Sequence, residues 1–270
     1  MEPTFDLTLI WAGIIGFGIM MYVLMDGFDL GQGILYPFAP DEQARDKMMN
    51  SVAPVWDGNE TWLVLGGAGA VVGAYIQGFE TEGFVYSGGP LDWLTPFTVL
   101  TGLGLVVGYA LLGSTWLIMK TDGAVQQWAY KITPKLLIAL LVVFGVVSFY
   151  TPYVDSTAMV RWFEGFSIIW ALPVLVLWCA YVVFRSVKKQ QDGMPFVATM
   201  GIFLFSYLGL LVSKWPYIVP PNFTIYDAAS SYNSQLFLLL GFLFVIPIVL
   251  AYTSWTYWVF RGKVGDAGYH

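Results

Sequence analysis

Two pairs of acidic residues stand at the ends of apolar stretches near the N-terminus of this sequence. Asp26 and Asp29 follow the apolar residues 7–25, and Asp57 and Glu60 stand near the start of the next apolar stretch. The members of each pair are three positions apart, so on a helix their side chains share one face. Carboxylates within or beside an apolar helix are costly, and they commonly mark an ion or proton path, a substrate site or a buried pair.

Three interpretations of these four carboxylates are open on chemical grounds. They would repel one another if all were ionised, so we expect at least one to keep a proton, which suits a proton relay. They could instead be interfacial carboxylates wetted by headgroup water, with Arg45 and Lys47 close by in the sequence. Clustered carboxylate oxygens could also hold a hard cation, but nothing in the spacing demands one, and we predict no metal site.

Few side chains in this sequence could ligate a redox cofactor. The single histidine is His270, and the single cysteine, Cys179, lies inside an apolar stretch. Haem inside membranes is most often held by histidine, so we expect this chain to ligate neither haem nor a copper centre. A retinal-binding protein is also excluded, because the last apolar stretch, 236–260, contains no lysine.

The composition is that of a membrane protein. Hydrophobic residues make up 57% of the 270 residues and charged residues only 11%, whereas charged residues make up about 25% of soluble proteins. The mean hydropathy is +0.68. The formal net charge is −6 and no basic block is present, so we expect no nucleic-acid partner.

We predict an all-α polytopic membrane protein in which residues 1–270 form a single transmembrane helical domain. Spanning segments must be helices, because the bilayer core offers backbone groups no water. Proline is expected to open three of the helices, at Pro96, Pro134 and Pro195. About seven stretches are long enough to span, and they are 7–25, 54–76, 94–119, 134–150, 162–184, 195–213 and 236–260.

The basic residues predict the orientation of these spans. Ten of the 12 lysines and arginines fall in the loops after the first, third and fifth stretches or in the C-terminal tail, and only Arg161 and Lys214 fall in the opposite loops. By the positive-inside rule the larger group is cytoplasmic. The N-terminus is then outside, the C-terminus is cytoplasmic, and both acidic pairs lie at the cytoplasmic side.

Five stretches in collinear order carry a family resemblance. They are 26–31 (DGFDLG), 50–63 (NSVAPVWDGNETWL), 73–78 (GAYIQG), 220–231 (from Pro-Pro-Asn to Ser-Ser) and 252–258 (YTSWTYW). Together they resemble subunit II of the cytochrome bd ubiquinol oxidase family, including its cyanide-insensitive branch. The match extends over most of the chain.

The resemblance implies a function and partners. In this family, subunit II pairs with a subunit I of similar fold that holds all the haems, two of b type and one of d type, and the quinol site. The complex sits in the bacterial inner membrane, oxidises ubiquinol and reduces O₂ to water with proton uptake from the cytoplasm. This chain would then be a haem-free subunit that is not catalytic alone. Some members also contain small accessory subunits and a structural ubiquinone.

The resemblance also implies roles for the acidic pairs. Asp57 falls on the WDGN position that has a proton-path role in the family, Asp26 and Asp29 fall on the DGxD motif, and Glu60 is a further candidate. From the residues alone, a proton- or cation-coupled membrane transporter that uses the same carboxylates is the alternative. A purely structural membrane scaffold is the third option.

The chain departs from the family in one place. Members usually have nine spans, and after the WDGN motif they continue through an additional span, an arginine-containing loop and most of another span. Here residues 65–69 run almost directly into 71–75, which leaves an internal gap near residues 66–73. We expect that a segment is missing from this sequence rather than that the subunit is naturally short. Loss of two spans together would preserve the orientation of everything downstream.

Overall fold

The computed structural model describes residues 6–53, 72–83, 85–155, 160, 162 and 170–264. Residues 72–77 are helical, and a 3₁₀ turn, Tyr36–Phe38, follows the first helix. Two antiparallel hairpins are present, β1 (Thr81–Glu82) with β2 (Val85–Tyr86) and β3 (Tyr217–Val219) with β4 (Phe223–Thr224). The helices are α1 (Leu7–Leu35), α2 (Glu42–Val52), α3 (Pro96–Lys120), α4 (Gly123–Val154), α5 (Ala171–Lys188), α6 (Met194–Lys214) and α7 (Tyr232–Val259).

Six of the seven numbered helices, all except α2, are long and apolar enough to cross a membrane. This confirms the all-α polytopic fold and six of the seven predicted spans. The other predicted span, 54–76, lies mostly outside the described residues. Its existence therefore stays a prediction, as does the assignment of the two membrane sides.

Two of the three predicted proline starts are confirmed. Thr95 caps α3, because its hydroxyl accepts a hydrogen bond from the backbone of Thr98 (3.2 Å) and its own backbone donates to the Thr98 hydroxyl (2.9 Å). Pro96 then occupies the first turn, where a missing N–H costs no hydrogen bond. Pro195 stands in the first turn of α6 in the same way.

The predicted start at Pro134 is wrong. Helix α4 begins at Gly123 and passes through Pro134. A proline inside a helix removes one backbone hydrogen bond, and the surrounding turn is fixed by Thr133, whose hydroxyl donates to the Ala129 carbonyl (2.8 Å) and contacts the hydroxyl of Ser114 on α3 (2.9 Å). The contact with α3 therefore stabilises the helical conformation of α4 on both sides of the proline.

The helix ends define two faces of the bundle. We call the face that contains Asp6, 75–95, Asp155 and 214–231 the outer face, after the predicted orientation. There the hydroxyl of Tyr226 donates to Asp6 (2.9 Å), and Lys214 pairs with Asp155 (2.6 Å).

The opposite, inner face contains 36–53, 121–122, 189–193 and 260–264. Lys47 pairs with Asp122, and Lys263 pairs with Asp192 at 2.7 Å. These contacts join the chain after α1, the α3–α4 turn, the α5–α6 turn and the C-terminal tail. The chain segments that follow α1, α3, α5 and α7 therefore share one face, as the charge pattern predicts.

Helix α3 lies at the centre of the bundle and packs against α1, α4 and α6. Trp116, Leu111 and Leu117 on this helix are fully buried. Helix α7 is the opposite case, because Gln235 is its only buried residue. Most of the apolar surface of α7 therefore faces outward from the described part of the chain.

Helices α1 and α3 are parallel neighbours. Gly27 contacts Tyr109 and Leu112, and one turn later Gly31 contacts Gly113. A Cβ atom on Gly31 would lie 1.9 Å from the Tyr109 carbonyl oxygen, so only glycine permits this approach. Since both helices end at the inner face, the chain must cross to the outer face between them.

The described residues on either side of this connection lie on opposite faces. Residue 53 follows α2 at the inner face, whereas the side-chain oxygen of Gln77 accepts a hydrogen bond from the Thr95 hydroxyl at the outer face (2.8 Å). The predicted span 54–76 would provide the required crossing.

Candidate functional site

The first acidic pair lies inside a membrane-spanning helix. α1 continues through Asp26 and Asp29 without a break and ends six residues later, at Leu35. Both side chains are partly buried, and their charges interact with each other. The Oδ1 atom of Asp29 is buried and has no hydrogen-bond partner, and no lysine or arginine of the described chain forms an ion pair with this residue.

The glycines of the same motif decide which way the carboxylates face. Gly27 and Gly31 lie one turn apart and form the contact with α3. At 3.6 residues per turn, Asp26 and Asp29 fall on the flank of α1 that is turned away from this contact. Tyr257 of α7 lies on that side and is within electrostatic range of both carboxylates.

An aromatic cluster closes the space beside the acidic pair. The ring of Phe28 stacks on Trp116, with centroids 4.0 Å apart and an interplanar angle of 17°. Phe196 and Tyr257 stand edge-on against both rings, at centroid distances between 5.3 and 6.4 Å. Four helices, α1, α3, α6 and α7, thereby meet next to Asp29 and form an apolar wall.

Gln32 is a polar residue of this site that the sequence reasoning missed. It is only 3% exposed, its Nε2 donates to the Gly113 carbonyl (2.7 Å), and its Oε1 has no partner. The indole Nε1 of Trp116 is likewise buried without a partner. A glutamine three residues after Asp29, within an apolar stretch, was the available signal.

A buried lysine closes the inner end of the site. Lys120 is 5% exposed, and its ammonium group donates to the carbonyls of Phe260 and Gly262 at the end of α7. The same group lies 5.1 Å from the centroid of the Trp116 ring, as in a cation–π contact. This contact ties α3 to the C-terminal tail.

Two carboxylates at the inner face itself, Asp122 and Asp192, are paired with cations. A hydrogen bond from Lys47 holds the pKa of Asp122 below its usual range. A hydrogen bond from Lys263 likewise holds the pKa of Asp192 below its usual range. Asp192 also accepts hydrogen bonds from Gln126 (2.9 Å) and Tyr130 (3.2 Å). These groups are ionised at neutral pH and serve to fix loops.

The second acidic pair, Asp57 and Glu60, lies outside the described residues. The structure therefore brings together Asp26, Asp29 and Gln32, and it does not test the other two candidates. Within the described ranges, no three histidine, cysteine, aspartate or glutamate side chains converge as a metal site would require.

A separate cavity of about 380 Å³ lies between α4, α5 and α6, toward the outer face. Its lining is mostly apolar and includes Phe144, Trp170 and Phe205. Lys214, paired with Asp155, stands at its outer end. This cavity is distinct from the acidic site, which lies at the inner ends of α1 and α3.

Known proteins match this chain over nearly its whole length. The cytochrome bd terminal oxidase subunit II family model matches residues 7–71 and 67–260. Cytochrome bd-I ubiquinol oxidase subunit 2 of Escherichia coli (strain K12) is 22% identical over 360 aligned positions, covering 96% of this chain and 95% of that protein. The probable cytochrome oxidase subunit 2 of Haemophilus influenzae is 23% identical, with 97% and 96% covered. Cytochrome bd ubiquinol oxidase subunit 2 of Bacillus subtilis is 22% identical, with 94% and 96% covered.

These matches are interrupted where the motifs predict a gap. The two pieces of the family match meet at residues 67–71, and the alignment of 360 positions is longer than the chain of 270 residues. The relatives therefore carry residues that have no counterpart here. A tryptic peptide that reads continuously through 62–78 would contradict our expectation that a segment is missing.

The comparisons also decide between the function classes that the residues left open. They favour a subunit of an oxidoreductase complex over a coupled transporter. With its six described apolar helices, the chain is a multi-pass protein of the bacterial inner membrane. It belongs to the cytochrome bd terminal oxidase subunit II family.

Proposed function

We propose that this chain is the haem-free subunit of a bd-type ubiquinol oxidase and that Asp29, with Asp26, conducts protons from the cytoplasm toward the haem-bearing subunit I. The observation that supports it is the buried oxygen of Asp29, which lies inside a spanning helix and has neither a hydrogen-bond partner nor a paired cation among the described residues. Intramembrane carboxylates of this kind are typical of proton relays.

The surroundings of Asp29 suit proton transfer better than a structural role. An unpaired buried charge is costly, so this position accommodates the neutral acid more readily than the carboxylate. Asp29 can then take a proton from the inner face and release it when electron transfer in subunit I creates a demand for protons.

Asp57 and Glu60 are proposed to belong to the same path. Their part rests on the WDGN motif and on the i, i+3 spacing that they share with the first pair. The crossing between α1 and α3 starts at the inner face, which is where the predicted span 54–76 would place both residues.

We assign the haems of b and d type to subunit I, because this chain offers no histidine within any span. The structural ubiquinone of the family would suit the cavity between α4, α5 and α6. Its apolar lining fits an isoprenoid tail, and polar groups such as Thr151 and Lys214 stand near its outer end. The outward apolar surface of α7 is available to lipid, to subunit I or to a small accessory subunit.

The test is Asp29→Asn in the complete oxidase. Asparagine keeps the size of the side chain and cannot carry a proton, so we expect quinol oxidase turnover to fall by about a hundredfold, the lower range for a lost acid–base group. Haem content and assembly should not change. Turnover is measured with a soluble quinol, and haem content from the reduced-minus-oxidised spectrum.

Asp227→Asn is the matched control at the outer face. Asp227 accepts hydrogen bonds only from the backbone and hydroxyl of Thr224 among the described contacts (2.8 and 2.7 Å), so its replacement should leave turnover intact. Normal turnover in Asp29→Asn with normal haem content would show that α1 is a scaffold and would overturn the proposal.

A further inference from the structure

We infer that Asp29, Gln32 and Trp116 together bind one internal water molecule, which hands protons to Asp29. This inference rests on the proposed function and extends it to two residues that no motif of the family identifies. Gln32 and Trp116 are then positioning residues of the proton path.

Three buried polar atoms of these residues have no hydrogen-bond partner within the described part of the chain. They are Oδ1 of Asp29, Oε1 of Gln32 and Nε1 of Trp116. Gln32 and Trp116 are 3% and 1% exposed. Since roughly 90% or more of buried polar groups in proteins are paired, three unpaired atoms in one region call for a ligand.

The three residues belong to one cluster. Gln32 follows Asp29 by three positions, so both lie on neighbouring parts of one helix face. Gln32 donates to Gly113, which precedes Trp116 by one turn of α3. Phe28, the residue before Asp29, stacks directly on the Trp116 ring.

The chemistry of the three atoms identifies the ligand as water. The site offers two acceptors, on Asp29 and Gln32, and one donor, the indole N–H of Trp116. A water molecule supplies two O–H donors and a lone pair, and internal waters typically make about three hydrogen bonds of this kind. A metal cation would leave the indole N–H unpaired, and an anion would have no hydrogen to donate to the two acceptor oxygens.

A water held in this way can relay a proton without net change. The water accepts a proton from the inner side. Its own O–H bond that points toward Asp29 then breaks, and the Oδ1–H bond of Asp29 forms. The water is then restored to its starting composition. Gln32 keeps the water oriented throughout, because its Oε1 accepts a hydrogen bond from the other O–H group of the water.

Gln235 provides a matched control at the outer face. It is also buried, its Nε2 donates to the Ser230 carbonyl (2.7 Å), and its Oε1 has no partner. Replacement of either glutamine by leucine removes the same amide from a buried position. Only Gln32 lies one helical turn from Asp29.

The experiment compares Gln32→Leu, Trp116→Phe, Asp29→Asn and Gln235→Leu in the complete oxidase. Turnover is expected to fall about tenfold in Gln32→Leu, the effect of one lost hydrogen bond on a barrier, and about threefold in Trp116→Phe. Gln235→Leu should be unaffected. Haem content reports assembly in every variant.

Infrared difference spectra give a second readout. The C=O stretch of the protonated Asp29 carboxyl is identified by its loss in Asp29→Asn. Because a hydrogen bond lowers this frequency, we expect the band to move to higher frequency in Gln32→Leu and to stay in place in Gln235→Leu. If Gln32→Leu fails to assemble, Trp116→Phe gives the test, since it keeps the ring stacked on Phe28.

The outcomes separate the two proposals. Reduced turnover in Asp29→Asn, together with an unmoved band and normal turnover in Gln32→Leu, would overturn the water site and leave the proton path standing. Full turnover in Asp29→Asn would overturn the proton path. The position of the band in Gln32→Leu would still decide whether Gln32 and Asp29 share a ligand.

Discussion

The two halves of α1 are built differently. In the outer half, Gly13 and Gly18 have no atom within reach of an added Cβ, and Phe17 is exposed. In the inner half, Phe28 is buried and Gly31 lies against the backbone of α3. One helix therefore combines a loosely packed apolar half with a half that is fixed to the centre of the bundle.

The hydrogen bonding of polar groups differs between the two halves of α1 in the opposite sense to the packing. At the outer end, Asp6 accepts hydrogen bonds from the Leu9 backbone (3.0 Å) and the Tyr226 hydroxyl (2.9 Å), which hold its pKa below the usual range. In the inner half, an oxygen of Asp29 and an oxygen of Gln32 are buried and have no partner among the residues that the structure describes. The most rigid part of α1 thus carries its least satisfied polar atoms. Close packing and unsatisfied polar atoms therefore coincide in the inner half of α1.

The largest effect is expected from Gly31→Ala. The new Cβ would lie 1.9 Å from the backbone oxygen of Tyr109, which cannot move like a flexible side chain, so α1 and α3 must separate. Overpacking typically costs about 1–3 kcal/mol and occasionally more. We expect at least a tenfold loss of assembled oxidase, measured as haem recovered with this chain.

Gly18→Ala is the control on the outer half of the same helix, where nothing lies within 4 Å. It should assemble as well as the native chain, and alanine is the better helix former. Equal yields from both variants would show that the two halves of α1 do not differ in packing.

A smaller effect is expected from Asp192→Asn, which removes the charge that joins α4, the α5–α6 turn and the tail. The folded-state pKa of Asp192 is lowered, chiefly by Lys263. The pair therefore stabilises the protein above the unfolded pKa near 3.8, and this contribution is lost as the pH falls through the lower folded pKa. Because the Asp192 side chain is 48% exposed, we expect a loss of no more than about 1 kcal/mol at pH 7.

The measurement is the melting temperature of the oxidase at pH 7 and at pH 3. The difference between Asp192→Asn and the native protein should shrink at the lower pH and in high salt. Lys263→Gln and the double variant complete a cycle. Fully additive effects of the two single changes would contradict a direct pair.

The smallest effect is expected from Asp6, at the outer end of α1. Asp6→Ala removes the N-cap acceptor and the partner of Tyr226, whereas Asp6→Asn keeps a capping oxygen. The melting temperature should fall slightly in Asp6→Ala and less in Asp6→Asn, with turnover unchanged in both. A loss of turnover in either variant would mean that the outer end also takes part in the reaction.

Much of the fold is predictable, because membrane-spanning segments can be identified from the hydropathy of consecutive residues. Each apolar stretch must form a helix in the bilayer, so six predicted spans agree with the described helices. Local capping is equally direct, as Thr95 and Pro96 show at the start of α3. The continuation of α4 through Pro134 was not predicted, because it depends on contacts with another helix rather than on local preference.

The acidic pair Asp26 and Asp29 could also be found from the sequence, because carboxylates stand out in an apolar stretch. The aromatic cluster beside them could not. Its rings belong to Phe28, Trp116 and Tyr257, which come from three helices.

The sequence by itself determined the membrane class, the order of the described spans and the family. These follow from composition, from the length of apolar stretches and from motifs, all of which are properties of short segments. The tertiary structure alone decided that α1 and α3 run side by side and that Gln32 meets Gly113. Such contacts join residues about eighty positions apart, and they form because Gly31 and Gly113 let two backbones approach closely enough to bury the polar groups between them.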